Sequence, residues 1–264
     1  VKNRILILAF CVHLTSSIGI ADDRIIGGDE VLADDPIAAT TAALIFKSND
    51  QYYPGCTLSL LAADIAVTAA HCLGKAEMYV AFNRKIVTDD GHVDVPALRL
   101  GRVVAAQMHE GYRGPDTSLK DRNDIALLRF EGGLPAGYAP AQLLSQRDRL
   151  QDGMPVVLAG YGVSDDWTGD GPGILRRADV ILLDAEYSAT EVQTDQHLGK
   201  GACRGDSGGP AFVKRGASYY LFGVTNWGPG HCDQFGVYAN INAYRDWLAQ
   251  TVSQLRAAPQ ASSN

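Results

Sequence analysis

The chain has 264 residues, a net charge of −7 and 46% hydrophobic residues, with no long basic run, repeat or low-complexity tract. That length buries a substantial core in one or two domains, and the acidic balance excludes the basic surface a nucleic-acid binder needs. Residues 1–21 read as a signal peptide: Lys2 and Arg4 precede an apolar run from Ile5 to about Leu14, and Gly19-Ile20-Ala21 offers small residues for cleavage. The run is short for a span and is broken by His13, Thr15, Ser16 and Ser17, so secretion, extracellular or periplasmic, is expected rather than a stable membrane anchor.

Beyond the leader, strand-length apolar runs follow at Ala38–Phe46, Ile65–Ala69, Met78–Phe82, Leu98–Ala106, Ile125–Phe130, Val156–Ala159, Val180–Leu183 and Tyr219–Val224. Gly, Pro, Asn and Asp punctuate them, which predicts an all-β barrel or sandwich. One helix is predicted from about Ala243 to Leu255, where Trp247, Leu248, Thr251, Val252 and Leu255 share a face. Residues 257–264 are small and polar and read as a flexible tail. Asp89-Asp90-Gly91-His92-Val93-Asp94 lacks the ligand spacing and terminal glutamate of an EF-hand, and reads as a polar turn. No metal or cofactor is expected. Of five cysteines, Cys11 falls in the leader; Cys56, Cys72, Cys203 and Cys232 remain and allow three pairings. Disulfides suit the oxidising compartment to which a leader delivers a protein.

Three segments carry chemistry: Thr68-Ala69-Ala70-His71-Cys72, Asn123-Asp124-Ile125-Ala126-Leu127-Leu128 and Gly205-Asp206-Ser207-Gly208-Gly209-Pro210. Glycines and a proline around Ser207 disfavour helix and strand, and hold one hydroxyl on a tight turn beside bare backbone N–H groups. A serine hydroxyl needs a base within reach, and the base needs an orienting partner. Imidazole, with an unperturbed pKa near 6.5, suits the base; a carboxylate on its far nitrogen sets the tautomer and stabilises the imidazolium. The chain order His71, Asp124, Ser207 excludes the subtilisin and α/β-hydrolase orders.

These segments resemble the trypsin/chymotrypsin family of serine proteases, from about Arg24 to about Leu255. The resemblance implies two six-stranded antiparallel β-barrels packed face to face, with a C-terminal helix. The first barrel (about 25–135) would carry His71 and Asp124, and the second (about 136–242) Ser207. It implies a monomer acting on protein or peptide substrates, with an oxyanion hole from the N–H groups of Gly205 and Ser207. It selects the pairings Cys56–Cys72 and Cys203–Cys232. Arg24-Ile25-Ile26-Gly27-Gly28 resembles a zymogen cleavage site, with residues 22–24 as a short activation segment and the freed Ile25 amine pairing with Asp206.

The specificity pocket would be formed by Gly201, Ala202, Asn226, Trp227, Gly228 and Gly236. Gly201 stands where trypsin-type enzymes carry an aspartate, so a large apolar residue before the scissile bond is expected. A buried substrate cation would find no counter-charge there. Asp233 offers an alternative, a preference for Lys or Arg, and Arg204 is expected at the cleft mouth. Thr225 replaces the pocket histidine of glutamate-specific members. An enzyme indifferent to arginine would need a separate trypsin-like protease to cut after Arg24. Asn226 stands where the family usually has a serine supporting the triad aspartate, and Thr57-Leu58 where two glycines are usual. A catalytically weak binding protein on the same scaffold is the reading from another class.

Overall fold

The computed structural model describes residues 25–258 except Lys75 and Thr117. The leader, Asp22–Arg24 and residues 259–264 lie outside the described residues.

Asp35 and Pro36 open a short helix, α1 (Pro36–Thr40): Asp35 Oδ1 accepts the Ile37 N–H at 2.9 Å and Pro36 occupies the first turn. The strand predicted from Ala38 therefore begins only at Thr41, because the cap signal overrides the apolar run. After β1 (Asp29–Glu30), the strands β2 (Thr41–Ser48), β3 (Gln51–Leu60), β4 (Ile65–Thr68), β5 (Glu77–Phe82), β6 (Arg99–Met108) and β7 (Ala126–Phe130) close an antiparallel barrel in the order β2-β3-β4-β7-β6-β5. Asn49 and Asp50, with φ of 50° and 61°, make the two-residue turn between β2 and β3. The apolar-run reading passed over β3 because Pro54 and Gly55 interrupt it. Gly55 is the extra residue of a bulge opposite Leu44–Ile45, and a Cβ there would lie 2.1 Å from the Phe46 ring.

The second barrel comprises β9 (Pro155–Gly160), β10 (Arg176–Asp184), β11 (Glu191–Asp195), β12 (Pro210–Arg215), β13 (Ser218–Trp227) and β14 (Phe235–Asn240), with β8 (Gln142–Leu143) on the flank of β13. It closes as β9-β10-β11-β14-β13-β12, because β9 pairs with both β10 and β12. β10 shows the alternation of a half-buried strand, with Arg176, Ala178, Val180 and Leu182 inward. β11 and β12 each mix polar with apolar residues, which hides them from a search for apolar runs. Although β1 comes first in the chain, it pairs with β10 through Asp29↔Arg177 and Glu30↔Arg176. The N-terminal segment thus belongs to the second barrel.

One apolar core runs from inside the first barrel through the face between the barrels; a second fills the other end of the second barrel. Each fully buried Leu, Ile or Phe contributes roughly 1.5–3 kcal/mol. The C-terminal helix α2 (Arg245–Ala257) buries Leu248, Thr251 and Leu255. It returns to the first barrel, where Arg256 Nη2 meets Asp64 Oδ1 at 2.6 Å.

Candidate active site

β4 ends at Thr68, and a 3-10 turn at Ala70–Cys72 swings His71 into the cleft. Ala69 and Ala70 are fully buried, and the disulfide Cys56–Cys72 anchors the turn to β3. Asp124, on the approach to β7, is fully buried and meets His71 twice. Its Oδ1 accepts the His71 backbone N–H at 2.9 Å, and its Oδ2 lies 2.7 Å from Nδ1.

The Ser207 turn is wedged against the same part of the first barrel. Thr57 N–H donates to Ser207 O at 2.9 Å, and Cys72 Sγ lies 3.6 Å from that oxygen. Gly208, at φ 79°, has no room for a side chain: a Cβ would sit 1.9 Å from Thr68 Oγ1 and 2.5 Å from Thr57 O. The structure thus brings Ser207 beside the turn carrying His71. Thr57, noted in the sequence only as a departure from glycine, ties the barrels together. Its hydroxyl donates to Gly205 O at 3.0 Å and accepts the Tyr161 N–H at 3.0 Å. Gly205, at φ 94°, packs where a Cβ would lie 2.8 Å from Gly162 Cα, so glycine is required at this position.

Asp206 is buried behind that turn. Its Oδ1 accepts from Gly162 N–H and its Oδ2 from Cys203 N–H, each at 2.8 Å. Burial still pushes its carboxyl up to about 7, against the opposing pull of these two N–H groups and the Arg176 charge. Ile25 is fully buried in the second-barrel core, and Ile26 accepts from Gly201 N–H at 2.9 Å. Arg24 lies outside the described residues.

Beside Ser207 opens a pocket of about 300 Å³, lined by residues including Ala202, Asn226, Trp227, Gly228, Gly236 and Gln196. Its floor is a side chain that motif reading missed. Gln196 Nε2 donates to Ala202 O at 3.2 Å and Cys232 O at 2.9 Å, while Oε1 accepts from Ala202 N–H at 3.1 Å. A Cβ on Gly201 would lie 2.2 Å from Gln196 Cδ, so this amide fills the volume a side chain at 201 would need. Gly201 itself is not among the residues that line the pocket; it lies behind Gln196. Cys203–Cys232 braces the wall. Asp233 is exposed and not among the lining residues. Arg204 is at the mouth, 3.1 Å from Asp166 Oδ1; Asp166 also faces His231 Nδ1 at 3.4 Å, and Trp167 stacks on His231 at 4.9 Å.

Asn226 does not reach the Asp124 carboxylate. With its amide orientation assigned from the surrounding partners, its nitrogen donates to the main-chain carbonyls of Val224 at 3.2 Å and Asp124 at 2.8 Å. In the Asp89–Asp94 loop, Lys85 Nζ bonds Asp89 at 2.6 Å and the Thr88 hydroxyl bonds Asp90.

The trypsin family model matches residues 25–248. The chain belongs to the trypsin family. Its two-barrel architecture is that of the chymotrypsin fold. Among its relatives are the vitellin-degrading protease of Bombyx mori, 28% identical over 90% of this chain and 89% of the relative, and trypsin-1 of Astacus astacus, 29% identical over 73% and 86%. CLIP domain-containing serine protease B4 of Anopheles gambiae is 27% identical over 87% of this chain and 71% of the relative. These trypsin-family serine proteases support the class of serine peptidase, a hydrolase. The share of the match spans both barrels, and with them every residue of the site.

Proposed function

We propose that the protein is a secreted serine endopeptidase made as a zymogen. Ser207 Oγ attacks the peptide carbonyl, and His71 takes its proton and passes it to the leaving amine. Asp124 holds His71 in the right tautomer, and water then hydrolyses the acyl-enzyme. The N–H groups of Gly205 and Ser207 receive the developing oxyanion. No cofactor enters the cycle. The observation that carries this reading is the double engagement of His71 by the buried Asp124, with the Ser207 turn locked beside it through Thr57.

Cleavage after Arg24 frees the Ile25 amine to pair with Asp206, a buried carboxylate that burial makes reluctant to ionise alone. Among the described residues no carboxylate lines the pocket, and its floor is a neutral amide. This supports cleavage after large apolar residues rather than after Lys or Arg. It also assigns the cut after Arg24 to a separate protease. Protein cut after Arg24 is to be profiled on a peptide library beside its Ser207→Ala variant. Cleavage after Phe, Tyr, Leu or Met, lost by about a million-fold in kcat in the variant, is expected. Cleavage after Lys or Arg would overturn the pocket assignment, and turnover surviving in the variant would overturn the triad. Purified zymogen that matures by itself, with Ser207 intact, would overturn the separate activator.

A further inference from the structure

Asp124 has a second basic neighbour that the triad chemistry does not use. The Arg122 side chain is 3% exposed, and its Nη2 lies 3.6 Å from Asp124 Oδ2, the oxygen that also holds His71 Nδ1. Its Nε and Nη2 are anchored on Gly114 O at 3.2 and 2.9 Å. The backbone here is forced. Asp121 and Asn123 on either side have φ of 53° and 54°, an uncommon conformation for side chains other than glycine. The second barrel holds it in place: Glu191 accepts from the N–H groups of Asp121 at 2.8 Å and Arg122 at 3.3 Å. Asn123 completes the brace by donating to Gly111 O at 3.1 Å and Asp121 O at 3.0 Å. A strained loop clamped from across the cleft therefore points a buried guanidinium at the triad carboxylate.

We infer that Arg122 is a positioning residue, a fixed cation that orients the Asp124 carboxylate and limits how strongly it stabilises the His71 imidazolium. It stands in for the hydroxyl that Asn226 does not supply, since Asn226 reaches only the Asp124 main chain. The inference rests on reading His71, Asp124 and Ser207 as the triad. A second positive charge sharing Oδ2 opposes protonation of His71 and extends its action as a base to lower pH. Around the carboxylate stand the Tyr112 and Tyr244 phenols, Asp121 and Glu191, with His109 packed against the Tyr244 ring at 5.3 Å. Burial, with the Asp124 charge, raises the Tyr112 phenol; burial, against a hydrogen bond from Thr190 and with nearby carboxylates, raises that of Tyr244. Asp121 is held low: burial acts upward, but hydrogen bonds from Ser188 and Thr190 and the charge of Arg113 outweigh it. Glu191 is engaged by the two backbone N–H groups and the Ser188 hydroxyl at 3.3 Å.

The test compares cleaved wild-type protein with Arg122→Met and Arg122→Lys. Two readouts are followed against pH: the acid limb of kcat/KM, and the downfield proton resonance of His71 Nδ1–H. The Met variant is expected to move both midpoints up by about one pH unit, with Lys restoring most of the shift. A merely structural arginine would lower stability and leave both midpoints in place. Midpoints unchanged in a folded Met variant overturn the inference. If that variant does not fold, Arg122→Gln gives the same reading, and loss of folding in both overturns it by assigning Arg122 to stability alone. The resonance needs no turnover, so wild-type protein that fails to hydrolyse peptides counts against the proposed function while the titration still tests Arg122.

Discussion

Asp124 and Asp206 are both removed from solvent, one on the loop entering β7 and one behind the nucleophile turn. Asp124 is met by His71 through backbone and ring, and by the Arg122 guanidinium. Asp206 accepts from two backbone N–H groups with Arg176 acting on it by charge, and burial still raises its carboxyl to about 7. The first carboxylate has its basic partners, His71 and Arg122, in place once the barrels close. The second, on the proposed reading, is completed only when a peptide bond is cut. On that reading a buried carboxylate serves as a permanent fixture in one place and as a switch in the other.

Between these two carboxylates, the largest effect should come from replacing Asp206. In cleaved protein, Asp206→Asn is expected to lower kcat/KM about 10²- to 10³-fold, the scale of a lost oxyanion donor. A loss under tenfold would break the contrast between the two carboxylates. The same residue gives a pH test in the uncut chain. Its carboxyl is raised from 3.8 to about 7, so the folded state holds the proton more firmly than the unfolded state does. Stability is therefore lost as pH rises from about 4 to about 7, by at most about 4 kcal/mol. Thermal melts of uncut Ser207→Ala protein, with and without Asp206→Asn, should diverge across that window in favour of Asn and run parallel above it. After the cut the order should reverse.

Gly208→Ala comes next, because it attacks the seam on which both carboxylates depend. A Cβ there meets Thr68 Oγ1 at 1.9 Å and Thr57 O at 2.5 Å on a backbone of φ 79°. The expected cost is about 3 kcal/mol, a fall in Tm of about 6–12 °C. Gly153→Ala is the control, since its φ is 77° with nothing within 4 Å, and should cost about 1 kcal/mol. Equal falls would mean that backbone conformation alone, not the seam, decides.

Gly201→Asp sharpens the pocket. Gln196 occupies the space, so the single substitution should not create cleavage after Lys or Arg, whereas Gln196→Ala with Gly201→Asp should raise it about 10- to 100-fold. Selectivity gained by the single variant would show that Gln196 yields easily. The smallest effect belongs to Asp166→Asn at the mouth. It releases Arg204 and His231, whose side chains are 60% and 63% exposed, and should change KM no more than a few-fold.

The turns that carry Ser207 and His71 were legible because local chemistry marks them. Glycines around Ser207 and small residues before His71 announce tight turns whatever surrounds them. The strands with continuous apolar runs were legible for the same reason, while β3 was not: Pro54 interrupts its pattern, and Gly55 makes sense only against the Phe46 ring. Gln196 carries no mark of its own: its amide becomes a floor only because the chain at 201–202 and Cys232 fold around it. Arg122 turns inward because Glu191, on another barrel, holds its backbone. What motif reading misses is what depends on a partner distant in sequence.

The pairing of β1 with β10 bears on how the molecule is assembled. On a ribosome the first barrel can close while most of the second is still unmade. The segment around Ile25 has no berth until β9, β10 and the chain near Gly201 have emerged. Such long-range closure slows folding. Residues synthesised ahead of the first barrel are thus some of the last to be housed.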